Sequence, residues 1–121
     1  MKPYHYAYLG IGLALLAGPA SAHHSGAMFD RTRSVDIKGV IKSFGWNNPH
    51  ASIEIDVKGA GGLEQWNIEG GSPSVMVKQG WRKTSLKPGD AVTLSIHPMR
   101  DGSKGGDLVG GVLADGSKVG P

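Results

Sequence analysis

Cysteine is absent from all 121 residues, so no disulfide can staple this chain, and thiol catalysis and thiolate metal sites are both excluded. Aromatic residues are scarce at 7% and charged residues amount to 19%. No run of like charge is longer than the pair Arg82-Lys83. Without a basic stripe there is no electrostatic footprint for a phosphate backbone, and nucleic acid is not expected as a partner. No internal repeat is visible, and the glycines never follow a strand and open a helix in the pattern that cradles phosphates.

Long apolar runs are lacking too, apart from one at the start. Lys2 precedes an apolar stretch over 8–17, followed by Gly18, Pro19 and then Ala20-Ser21-Ala22. A charged start, a short apolar middle and a small-x-small end are the parts of a cleaved export leader. Spanning a bilayer takes about 20 apolar residues, and this run breaks before that. The expectation is a signal peptide over 1–22 and a mature chain in the periplasm or outside the cell, with no stable membrane insertion after cleavage. Losing Lys2 takes the 13 basic residues to 12 against 10 acidic ones, a net charge of +2.

What is present is glycine, 20 of 121 residues, together with 39% hydrophobic residues. That balance suits short strands and many turns around one small core. After a polar lead-in over 23–33, the segment 35–44 alternates Val35, Ile37, Gly39 and Ile41 against Asp36, Lys38, Val40 and Lys42. A second alternation sets Ala51, Ile53, Ile55 and Val57 against Ser52, Glu54, Asp56 and Lys58, and a third pairs Trp66 with Ile68 opposite Gln65, Asn67 and Glu69. Both have the period of half-buried antiparallel strands, and the glycines over 59–62 make the hairpin between them.

The period then changes. Ser72-Pro73 is a helix start, with a side-chain cap ahead of the residue whose missing N–H is not needed there, and Gly80 is the stop. Trp81 is placed to pack this short helix on the sheet. The turn Lys87-Pro88-Gly89-Asp90 leads to a fourth strand with Val92, Leu94 and Ile96 inward, ending at Pro98. A loose loop over 103–106 precedes a fifth strand over 108–113, where Gly110-Gly111 signals a bulge or a sharp bend. Residues 114–119 form a last hairpin with a short strand.

Three strands, a short helix and two more strands are the order of the five-stranded barrel of oligonucleotide- and oligosaccharide-binding domains, and closure removes exposed edges. The expected architecture is therefore all-β, a small five-stranded barrel over 34–121 with one short helix between strands 3 and 4. A small sandwich is the alternative.

The segments Ala22-His23-His24-Ser25, Asn48-Pro49-His50, Trp66-Asn67-Ile68-Glu69, Ser72-Pro73, Gly80-Trp81, Leu86-Lys87-Pro88-Gly89-Asp90 and Asp101-Gly102 together resemble a bacterial family of small exported proteins classed as a domain of unknown function. The resemblance covers nearly all of the mature chain and implies an exported β-rich domain. It brings no activity, substrate or catalytic residue.

Chemistry must then be sought in the residues. Cleavage after Ala22 makes His23 the first residue, whose free α-amine and imidazole can chelate one metal ion, with His24, His50 or His97 completing a nitrogen-rich set that favours copper(II). Met28, Met76 and Met99 are soft donors for copper(I), or simple core filler. The spacing matches no paired-ligand zinc template, and His50 and His97 also suit structural hydrogen bonds to nearby carbonyls. No resident cofactor is implied.

A binding face is the other reading, with Trp46 and Trp66 as stacking platforms and Asn67 and Glu69 as polar neighbours of a small ligand, glycan or protein partner. Trp66 alternates with Ile68 and suits the core better. Glu54 and Asp56 share one outward row, and Ser25, Ser72 and Ser85 lie in no nucleophile motif, so no enzyme is expected.

Overall fold

The computed structural model describes residues 26–121. The leader over 1–22 and the His23-His24 pair lie outside the described residues. A single 3-10 turn at Gly26–Met28 leads to β1 (Val35–Gly45), β2 (Ser52–Gly59), β3 (Gly62–Glu69), α1 (Pro73–Lys78), β4 (Ala91–Pro98), β5 (Gly105–Val112) and β6 (Lys118–Val119).

Strand β1 pairs antiparallel with β2 through its second half and with β4 through its first. The hairpins β2–β3 and β4–β5 extend the sheet on either side. A parallel pairing of β3 with β5, through Asn67↔Gly105, Ile68↔Gly106 and Glu69↔Asp107, closes it. The result is a closed five-stranded barrel with one short helix between β3 and β4, the architecture that the alternation implied. Strand β6 takes no part in closure and pairs only with β5, at Gly111↔Val119 and Val112↔Lys118.

Two bulges supply the curvature. In β1 the register slips between Ile41 and Ser43, leaving Lys42 extra. Opposite β4, Val109 is extra between Gly110 and Leu108. Each added residue sharpens the local twist, which a small barrel needs to close. Gly39 marks the point where β1 passes from one partner to the other, since it faces both Val57 and Val92. A side chain there would run into the carbonyl of Asp56.

Alternate positions fill the interior, with Ile37, Ile41, Ile53, Ile55, Leu94 and Ile96 all buried. Met76 of α1 and Trp81 close one end, each only 1% exposed. The helix ends as a two-bond glycine stop: Gly80 has φ +92, its N–H donates to the Val77 carbonyl at 3.1 Å, and that of Trp81 donates to the Met76 carbonyl at 3.0 Å. This satisfies otherwise orphaned carbonyls and turns Trp81 into the core.

Two local expectations are corrected. Ser72 occupies the N-cap position in extended conformation, but its hydroxyl makes no capping bond and lies 3.3 Å from the Ser74 hydroxyl instead. Residues Gly105 and Gly106, read as loop from their composition, are buried members of β5 and carry the closing pairing. Added Cβ atoms there would lie 2.8 Å from the Asn67 carbonyl and 2.6 Å from that of His97. Only glycine lets the strands approach so closely.

Candidate functional site

Outward-facing residues of β2 and β3 meet in register, Ser52 opposite Glu69 and Glu54 opposite Asn67. Because side chains alternate along a strand, these four stand on one outer face while Ile53 and Ile68 stand in the core. The loop between β1 and β2 brings Pro49 and His50 to one side of this face. The loop between β4 and β5 brings Met99, Ser103 and Lys104 to the other. Together they wall a groove of about 600 Å³, with Met28 and Phe29 also in its lining. In barrels of this type, the face of strands 2 and 3 between those two loops is the customary binding surface.

Two further depressions of about 580 and 610 Å³ lie elsewhere among the described residues. One is lined by Lys38, Val40 and Leu63 and the other by Arg82, Lys87 and Lys118, so size does not separate the three. The groove over β2 and β3 differs in drawing an imidazole, two carboxylates, an amide, an ammonium and two thioethers from five separate segments. Convergence of a few polar groups on a concave, partly apolar floor is what a ligand site requires.

Within the groove, His50 Nε2 lies 3.4 Å from Glu69 Oε1, with Glu69 the more buried partner. Asn67 Oδ1 accepts from Gln65 Nε2 at 3.3 Å, and Gln65 Oε1 accepts from Lys42 Nζ at 2.8 Å. That chain fixes the Asn67 amide with its NH2 directed away from Gln65. Lys104 Nζ pairs with Glu64 Oε1 at 3.1 Å on the rim. In the same loop, Asp101 is held below its ordinary 3.8, first by the Ser103 hydroxyl, which donates at 2.6 Å, and then by the Ser103 backbone N–H at 2.9 Å.

The lead-in docks here as well. Phe29 bridges to Met99 across an isolated antiparallel pair, with Asp30 N–H donating to the Pro98 carbonyl at 2.8 Å and Arg100 N–H to that of Met28 at 2.9 Å. Phe29 is 5% exposed and lies apart from the main core, so it forms a floor for this end of the barrel. Arg31 reaches Asp107 at 3.4 Å and ties the same segment to β5.

Of the residues singled out from the sequence, Asn67, Glu69 and His50 come together in this groove. Trp46 does not line it. It sits just beyond β1, half-buried against the core, edge-on to Phe44 at a centroid distance of 5.7 Å. Trp66 is half-buried opposite Ile55 and packs on the core. His23 and His24 lie outside the described residues. His50 faces a carboxylate across the groove instead of a neighbouring carbonyl, whereas His97 does serve structure, its Nδ1 2.7 Å from the Arg33 carbonyl oxygen. Met76 is core, while Met28 and Met99 are half-buried in the groove wall.

Sequence reasoning missed Phe29, Lys104 and the Gly105-Gly106 pair. The one available signal was that second glycine pair, of the same kind as Gly110-Gly111. Among the described residues no three His, Asp or Glu side chains gather within ligating reach, and no helix is long and apolar enough to cross a membrane.

A family model described as a family of unknown function, DUF6152, matches residues 11–108. That span runs from before the described residues through β1, β2, β3, α1 and β4 into β5, and it includes every wall of the groove. No curated protein and no solved structure gives a significant match.

Proposed function

We propose, for a chain that belongs to the DUF6152 family of unknown function, that it is an exported, non-catalytic binding or accessory domain whose ligand seats in the groove over β2 and β3. The observation that supports this reading is the convergence of Asn67, Glu69 and His50 with the Met99–Lys104 side of the opposite loop on one concave face. The fold alone carries no function; the argument rests on these side chains.

The groove favours a small or narrow polar ligand over a nucleic acid. It holds Glu54 and Glu69 against a single ammonium, Lys104, which is already paired with Glu64. Such a surface repels phosphate, and Phe29 is too deeply set to stack on a base. A short glycan or an extended peptide fits a carboxylate, an amide and free strand-face hydroxyls better. A binding role is preferred to catalysis because the His50–Glu69 pair is open to solvent, and among the described residues no serine or threonine hydroxyl hydrogen-bonds either histidine.

The test is a thermal-shift panel with chitotriose and trialanine against the full chain and its Asn67→Ala and Glu69→Gln variants. The reading expects at least one probe to raise the melting temperature, and both substitutions to abolish that rise. A rise unaffected by either would overturn it.

A second reading places copper(II) at His23, using the free α-amine and imidazole left by cleavage after Ala22. It is favoured by the sequence, in which cleavage after Ala22 would make His23 the first residue with His24 beside it. Tight uptake of one copper(II) ion, lost when an extra residue precedes His23, is the expected outcome. Equal uptake by both forms removes this site.

A further inference from the structure

Sulfur in this chain is confined to methionine, because there is no cysteine. The three methionines among the described residues divide sharply. Met76 is 1% exposed and its Sδ is packed so closely on Gly70 that an added Cβ there would sit 3.0 Å away. It is filler. Met28 and Met99 are half-buried, and both line the groove that His50 also lines. A methionine retained only for packing belongs in the core, where its flexible chain fills gaps. Two that stop short of the core and wall the same groove as an imidazole make a soft donor set.

We infer that Met28, Met99 and His50 form a site for a soft monovalent cation of the copper(I) class. The inference rests on the groove being the ligand site, as proposed above, and names one ligand for it. Thioethers select copper(I) over harder ions, and imidazole suits copper in either state. Zinc is the poorer match, because its sites draw on thiolates and on clusters of histidine and carboxylate, and no such triple gathers among the described residues. Glu69 is the positioning residue: its carboxylate lies 3.4 Å from His50 Nε2, which leaves Nδ1 as the donor. A histidine that ligates a metal through one nitrogen is normally oriented by a carboxylate or carbonyl on the other.

The test is silver(I), a redox-stable probe of the same class, titrated into the exported chain carrying carbon-13 methyl-labelled methionine. The site predicts that the methyl signals of Met28 and Met99 and the ring nitrogens of His50 shift together and saturate at one equivalent, while Met76 stays still. Met28→Leu and Met99→Leu conserve volume and should leave the fold intact while weakening binding at least about tenfold. Glu69→Gln should weaken it about 10–100-fold with the methyl shifts still present at saturation, which a purely structural role for Glu69 would not produce. Unmoved Met28 and Met99 signals would overturn the site, as would binding retained in the double methionine variant or lost only in a His23→Ala/His24→Ala variant. If silver(I) fails in these ways while chitotriose or trialanine still shifts the amides of β2 and β3, the metal site falls and the groove reading stands.

Discussion

Asp30, Asp101 and Asp115 share one local device. Each carboxylate accepts from the hydroxyl two residues on, Thr32, Ser103 or Ser117, at 2.6 Å, and from that residue's backbone N–H at 2.9–3.1 Å. These bonds favour the charged form and hold all three acids below their ordinary 3.8, the side-chain hydroxyl acting most strongly. A folded-state value lower than the unfolded one stabilises the protein fully above pH 3.8, and that contribution is lost as pH falls through the lowered values. Carbon-13 titration of the carboxyl groups should therefore show all three titrating below 3.8, with Ser117→Ala returning Asp115 alone toward it. Titration of Asp115 unchanged by that substitution would contradict the assignment. The residue scale is also where the sequence was least legible. Asn67 and Glu69 were readable as outward strand positions, but the pairing of His50 with Glu69 joins residues 19 apart and depends on how a loop folds over β3. No periodicity encodes that.

Among the elements, the helix stop and the closing pairing each depend on a glycine for a different reason. Gly80 has φ +92, where a Cβ meets its own backbone, so Gly80→Ala should cost about 1–2 kcal/mol in denaturant unfolding. Gly106 has no such conformation but lies against the His97 carbonyl, so Gly106→Ala forces β4 and β5 apart and should cost about 1–3 kcal/mol. The second substitution should also speed amide exchange at Asn67 and Glu69, because it disturbs the three-residue closure with β3. The first should leave those amides protected. The period-two pattern of β1 through β4 was legible because each strand has one buried and one solvated face. The start of β5 was not, because Gly105 and Gly106 have no side chains to alternate and their composition imitates a loop. The Ser72 signal marked the helix start correctly, although the hydroxyl bonds Ser74 and not the helix end.

At the scale of the whole molecule, closure sets where function can reside. Among the described residues, Ile37, Ile41, Ile53, Ile55, Leu94 and Ile96 fill the barrel interior. On the outer surface, the groove over β2 and β3 is where the lead-in, two loops and two strands converge. Sequence periodicity located the two strands but not the groove, because Phe29, Met99 and Lys104 reach it only through the return of β4 and the docking of residues 28–30. Amide chemical-shift mapping of the nitrogen-15-labelled chain with chitotriose, trialanine and silver(I) tests the proposed site most directly. The account predicts that a binding probe shifts amides within 50–54, 67–69 and 99–106 and leaves those of Lys38, Val40 and Leu63 at the opposite depression unmoved. Shifts centred on that depression or on Trp46, with the groove amides silent, would contradict it.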